Sequence, residues 1–125
     1  VSQKAAEAAY TLPQDCVETM RQAFERRRDL IVSLAKEIPG LEVNKPEGAF
    51  YLFPKCSSFF GKTDGQRTIN NSTDFAMYLL EVGHVATVGG DAFGDPDCFR
   101  MSYATSDDNI KEAMSRIKNA LSLLK

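Results

Sequence analysis

The sequence predicts one α/β (α+β) domain in which a small mixed or antiparallel sheet is covered by helices. Three observations carry this. The stretches 13–38 and 106–124 place apolar residues at three- and four-residue steps, the period of a helix with one buried face. The short runs 48–54 and 98–104 are apolar or aromatic and bounded by turn formers, as strands are. The order that results, α-(β)-β-loop-α-β-β-α, lacks the regular rhythm of a doubly wound sheet.

Each element has its own signal. The opening SQKAAEAAY reads as helix, as though the chain began inside an element of something larger. TLPQD is a helix start: Pro13 suits a first turn, and Asp15 suits its positive dipole. Val17, Met20, Phe24, Ile31, Leu34 and Ile38 then form a seam, interrupted by Arg27 and ended by Pro39-Gly40. LEVNK is a short strand or extended connector. GAFYLFP is the strongest strand signal, with Phe50 and Leu52 on one face and Tyr51 and Phe53 on the other. Residues 55–72 are rich in turn formers and read as an irregular loop. Ser72 reads as the cap of a helix that Gly83 ends. HVATV reads as a strand, GGDAFGDPD as a tight connection and CFRMSYA as a strand. Ser106 caps the last helix, whose stripe includes Ile110, Met114, Ile117, Leu121 and Leu124.

Bulk composition narrows the function classes. A chain of 125 residues, 43% hydrophobic and 26% charged, suits one globular domain. A net charge of −2 gives no reason to expect a nucleic-acid or anionic-membrane partner. No apolar run approaches a membrane span, and no signal peptide stands at the visible N-terminus. Cys16, Cys56 and Cys98 are odd in number and widely spaced, which fits neither a disulfide framework nor a metal site. They read as small buried hydrophobes in a reducing, cytoplasmic setting.

The chemistry-bearing candidates are few. In CFRMSYA, Phe99, Met101 and Tyr103 form the packed face, and Cys98, Arg100, Ser102 and Ala104 the other. Arg100 is permanently charged, and its planar fork matches a carboxylate through two parallel hydrogen bonds. An internal ion pair and an edge-strand arginine reaching for water stay open beside that ligand reading. Gly48 before the aromatic strand marks a special backbone angle, a close approach, or a simple turn. Phe50 and Tyr51 are core aromatics by default. GGDAFG is neither a dinucleotide fingerprint nor a P-loop, and Asp91, Asp95 and Asp97 miss the calcium-loop spacing. His84, the one histidine, has no nucleophile at a motif spacing and reads as structural. From the residues alone there is no catalytic machine and no metal site.

FERRRDLIV, IPGL, PEGAFYLFP, LLEVGHVATVGGDAFG and FRMSYATSDDNIKEAMSRI stand in series along the chain. Together they resemble the C-terminal part of class I pyridoxal-phosphate-dependent aminotransferases, near the aspartate/aromatic/prephenate group. The resemblance implies the small domain of a fold-type I enzyme: residues 1–12 would end a large-domain helix or linker, and 13–125 would be the small domain, including a long interdomain helix at 13–38. It implies that Arg100 grips the substrate α-carboxylate and that Phe50, beside Gly48, lies near the substrate. Substrates would be an amino acid and a 2-oxo acid, in a cytoplasmic homodimer. The Schiff-base lysine and the residues that hold pyridoxal 5′-phosphate would lie upstream, in the large domain. The segment alone is then expected to be inactive and to bind no cofactor.

There are two departures. Val88-Gly89-Gly90 stands where the family commonly has Val-Pro-Gly, which loosens the loop, and Asp91 stands where a small polar residue is frequent. Two other readings stay open. One is a free-standing carboxylate-binding or regulatory domain built on Arg100. The other is an interaction domain that uses the 17–38 seam against another helix.

Overall fold

The structure is a computed structural model and describes residues 1–125. Its helices are α1 (Ser2–Thr11), α2 (Asp15–Lys36), α3 (Ser72–Glu81) and α4 (Asp107–Leu121). Its strands are β1 (Tyr51–Leu52), β2 (Val88–Gly89) and β3 (Phe99–Ser102), and single 3-10 turns lie at Ser57–Phe59 and Gly90–Phe93. The sheet is antiparallel throughout, in the order β1-β3-β2. The last strand along the chain is therefore central, paired Tyr51↔Ser102 on one side and Val88↔Arg100 on the other.

The core lies between the inner sheet face and helices α2, α3 and α4. Leu52, Phe99, Met101 and Tyr103 supply the sheet side, Ile31, Val32 and Ala35 the α2 side, and Ile110, Met114 and Ile117 the α4 side. Phe75 stacks at 4.8 Å from Phe99 and 5.5 Å from Phe59, which joins α3 to the sheet. Alternation on β3 is as expected: Phe99 and Met101 are buried, Arg100 is half-buried and Ser102 is exposed. No helix is long and apolar enough to cross a membrane.

Several boundaries differ from the sequence reading. α2 spans Asp15–Lys36 and not 13–38. Gln14 ends the turn between α1 and α2, its amide donating to the carbonyls of Ala9 and Leu12, so Pro13 precedes the helix. The seam is also divided. Ile31 and Ile38 are buried, but Val17 and Met20 are about half exposed, at 51% and 56%. Arg27, its polar interruption, reaches Asp107 at the start of α4, as does Arg26.

The strands are shorter than their apolar runs. GAFYLFP pairs regularly only at Tyr51–Leu52, because Ala49 takes φ +59° and bends the chain before the ladder. Phe50 therefore leaves the Leu52 face; it is 40% exposed and stacks on Tyr51 instead. Of LEVNK only Glu42 bridges, to Lys55. HVATV contributes only Val88, since His84 at φ +53° turns the chain out of α3 and leaves the residues up to Thr87 outside the ladder. It is His84, and not Gly83, that takes the left-handed angle, a conformation histidine visits more readily than branched residues.

The cap of α3 is Asn71, whose side chain accepts from the Asp74 N–H. Ser72 is one residue inside the helix and fully buried. The cap of α4 is Ser106, accepting from the Asn109 N–H as expected. The loop at 55–72 is better ordered than its composition suggests. Phe59 and Ile69 are buried, and Thr63 and Lys125 exchange backbone hydrogen bonds. Cys56 and Cys98 are buried but Cys16, on the free part of α2, is exposed.

Candidate functional site

The outer face of the sheet carries the odd feature of this chain. Alternation along β3 turns Arg100 and Ser102 outward, and alternation along β1 does the same for Tyr51 and Phe53. Pairing sets Val88 directly opposite Arg100. The 3-10 turn at Gly90–Phe93 then folds Phe93 over the same face.

The Arg100 guanidinium carbon lies 4.3 Å from the Tyr51 ring centroid and 4.0 Å from that of Phe93. An aromatic face attracts a cation through its quadrupole, worth roughly 0.5–2 kcal/mol per contact depending on exposure. Phe93 is braced in turn by Phe53, edge-on at 6.1 Å. On the other side the row continues from Tyr51 to Phe50 at 4.6 Å and from Phe50 to Phe24 at 6.0 Å.

Arg100 takes part in none of the ion pairs and side-chain hydrogen bonds of the chain. The carboxylates nearest in sequence are engaged elsewhere. Asp91 accepts from the hydroxyls of Ser72 and Thr73, Asp95 from the Cys98 thiol and the Asp97 N–H, and Asp97 pairs with Lys55 at 3.3 Å. Neither an internal ion pair nor bare exposure therefore describes Arg100. Two aromatic rings lie against its guanidinium, and the N–H edges of its fork have no partner in the chain. Such a group can bind a carboxylate through two charge-assisted hydrogen bonds.

The three residues singled out from the sequence are not all brought together. Arg100 occupies the outer sheet face, and Phe50 joins it through Tyr51. Gly48 lies on the far side of Phe50, in a groove against α2 lined also by Phe24, Arg28 and Tyr103. The special backbone angle belongs to Ala49 and not to Gly48, and a side chain at Gly48 would meet open space. Tyr51, a core aromatic by its sequence setting, instead stands against Arg100 on the outer face, as does Phe93. Tyr51 shares the outward parity that the sequence already showed, but nothing in GGDAFG marks where its Phe would point.

The cysteines flanking this face are not poised as nucleophiles. Burial pushes the Cys56 thiol up to about 12 and the Cys98 thiol up to about 11, the latter helped by its hydrogen bond to Asp95. No group of three or more His, Cys, Asp or Glu side chains is placed to hold a metal ion.

With this geometry in view, known proteins supply a frame. The family pattern described as "Aminotransferase class I and II" matches residues 1–117. An aspartate aminotransferase of Rhizobium meliloti is 48% identical over 121 residues, covering 96% of this chain. A bifunctional aspartate aminotransferase and glutamate/aspartate-prephenate aminotransferase of Petunia hybrida is 46% identical over 129 residues, covering all of it. The chain spans 30% and 27% of those two relatives' lengths. Among solved structures, the Rhizobium meliloti aspartate aminotransferase superposes with a TM-score of 0.94 at 46% identity, over 99% of this chain and 31% of that one. An alanine aminotransferase from Pyrococcus furiosus gives 0.83 at 32% identity, over 94% and 28%. Sequence pattern and fold agree over nearly the whole length, and the chain belongs to the class I and II aminotransferases.

Proposed function

We propose that the chain is the C-terminal small-domain portion of an aminotransferase of the aspartate/prephenate kind, in which Arg100 grips the α-carboxylate of the substrate. The whole protein would move an amino group between an aspartate- or aromatic-type amino acid and a 2-oxo acid, as a cytoplasmic homodimer. The observation that carries this reading is a guanidinium held against two aromatic rings with no carboxylate of its own. A half-buried charge without a partner is costly, and a substrate carboxylate matches the free edges of the fork. Phe50, next along the aromatic row, would line the path to it, and Gly48 beside Phe50 would keep the approach clear.

Binding energy used this way acts through geometry. Two parallel hydrogen bonds fix both the position and the rotation of the carboxylate, and so the direction of the bonds at Cα. A misplacement of about 1 Å can cost roughly a hundredfold in rate.

The cofactor of this family, pyridoxal 5′-phosphate, supplies an electron sink for the amino acid's Cα when bound. The residues of this chain do not fit it. No lysine is buried, and only Lys55 and Lys62 are half-buried. The Lys55 amine is bound to Asp97, which raises its pKa, the wrong direction for an amine that must lose its proton to react. We therefore assign cofactor binding to a large domain of the same protein. α1 has no buried residue, and Tyr10, Leu12, Val17 and Met20 stand exposed along it and the first half of α2, as a face meant for such a domain would.

The test is Arg100→Lys in the full-length protein. Lysine keeps the charge and loses the fork. The expected result is a fall in kcat/KM of about a hundredfold or more at unchanged thermal stability. Unchanged kcat/KM would remove the clamp.

A further inference from the structure

The GGDAFG connection has a use that the carboxylate grip alone does not explain. We propose that Phe93 is a positioning residue that sets the plane of the Arg100 fork, and that Asp91 moors the loop that carries it. The proposal rests on the reading of Arg100 as the carboxylate grip.

A guanidinium on a flexible stem can rotate and swing. Here the guanidinium carbon lies against two rings, Tyr51 at 4.3 Å and Phe93 at 4.0 Å, and contact with two π faces restricts how the fork can turn. The two rings differ in kind. Tyr51 stands on a strand of the sheet, whereas Phe93 ends a 3-10 turn and is 44% exposed. A ring so placed stays in register with Arg100 only if its loop is fixed.

The loop is fixed at three points. Gly90 N–H donates to the Cys98 carbonyl at 2.8 Å and lies 3.1 Å from the buried Ser72 hydroxyl oxygen. A side chain at Gly90 would come within 2.1 Å of the Asp95 carbonyl oxygen, so the two strands of the loop are in direct contact. Asp91 turns away from Arg100 and accepts from Ser72 and Thr73, each at 3.3 Å, in the first turn of α3. A carboxylate is favoured there by the positive end of the helix dipole. Gly94, at φ +85°, closes the turn behind Phe93. The carboxylate of Asp91 is thus spent on α3, and the ring two residues later is delivered to the guanidinium. Phe53, edge-on at 90°, stops that ring from rolling off.

The experiment is steady-state kinetics of the full-length protein with Phe93→Leu, Phe93→Tyr, Arg100→Lys and the Phe93→Leu/Arg100→Lys double variant. Leucine keeps the apolar contact and removes the π face; tyrosine restores it. The expected result is a rise in KM of roughly three- to thirtyfold for Phe93→Leu, with a smaller change in kcat and most of the loss recovered by Phe93→Tyr. In the double variant Phe93→Leu should add less than twofold, because the two residues act through one interaction. Asp91→Ala should raise KM in the same direction by a smaller factor. Equal KM values for Phe93→Leu and wild type, or a full additive loss in the double variant, overturn the positioning role even when Arg100→Lys is crippled. If Arg100→Lys is itself unaltered, the carboxylate reading has failed first.

Discussion

The Tyr103 hydroxyl donates to the carbonyl of Ala49 at 3.0 Å, tying the end of β3 to the one strained turn beside the candidate site. Tyr103 is buried while Ala49 is exposed, so the bond stands at the edge of the core and contributes about as much as an ordinary hydrogen bond. It holds Ala49 at φ +59°, and through Ala49 it decides where Phe50 leaves the core face and joins the outer aromatic row. Tyr103→Phe keeps the ring and removes the donor. It should cost about 0.5–1.5 kcal/mol, read as a lower denaturant midpoint with an unchanged slope.

Ala49→Gly tests the strain from the other side. A left-handed angle costs a residue with a Cβ about 1–2 kcal/mol, while glycine's extra freedom in the unfolded chain takes back roughly 0.5–1 kcal/mol. The net expectation is a slightly more stable protein, by about 0.5 kcal/mol. A destabilised variant in thermal melts would show that Ala49 is not strained.

The paired glycines separate two roles of a glycine. An added Cβ at Gly90 would sit 2.1 Å and 2.3 Å from the carbonyl oxygens of Asp95 and Cys98, so Gly90→Ala forces backbone apart. We expect a loss of about 3 kcal/mol. Gly89 instead has φ −59°, an angle proline shares, and pairs with Phe99. Because Gly90 N–H is the one that bonds across to Cys98, the alternation of the ladder leaves the Gly89 N–H free of it. A Cβ at Gly89 would touch Thr73 N and Oγ1 at 3.1 Å, which offsets proline's gain of about 0.4–1 kcal/mol from a stiffer unfolded chain. Gly89→Pro should therefore leave stability within about 0.5 kcal/mol of wild type, and a melt as low as that of Gly90→Ala would contradict this geometry.

Asp107 links α4 to α2 by an ion pair that titrates. Its hydrogen bonds to Arg26, and more weakly to Arg27, hold its carboxyl below the usual carboxylate range. A folded-state value below the unfolded one stabilises the fold above the unfolded pKa, and the contribution is lost as pH falls through the folded value. Asp107→Asn should thus lower the melting temperature at neutral pH, and the gap to wild type should close in acid. A gap that persists undiminished at low pH would mean that packing, and not charge, makes the difference.

Much of this was legible in the sequence, for local reasons. The apolar period of α4 and the Ser106 cap are properties of neighbouring residues, and they predicted where the helix starts, although it ends at Leu121, three residues before the last apolar residue of the stripe, Leu124. The burial of Phe99 and Met101, and the outward face of Arg100, follow from alternation within one short run. The misses are non-local. Asn71 takes the cap and leaves Ser72 to be buried, because Ser72 meets Gly90 and Asp91 from another part of the chain. Phe59 and Ile69 are core residues inside a polar, turn-rich stretch, which no period marks. Gly48 has the residue type for a left-handed angle but its neighbour Ala49 carries it, since residue type signals freedom and not its use.

The sequence by itself determined the helices, the central strand and the side of that strand on which Arg100 stands, because hydrophobic period and caps act within a turn or two of chain. Its series of motifs also determined the family. The tertiary structure alone decided that Arg100 is gripped by Tyr51 and Phe93, that Asp91 serves α3 and not the arginine, and that Val17 and Met20 lie uncovered. Each of these depends on which distant segments meet, and a strand pairing or a loop docking brings together side chains whose spacing along the chain carries no period to read.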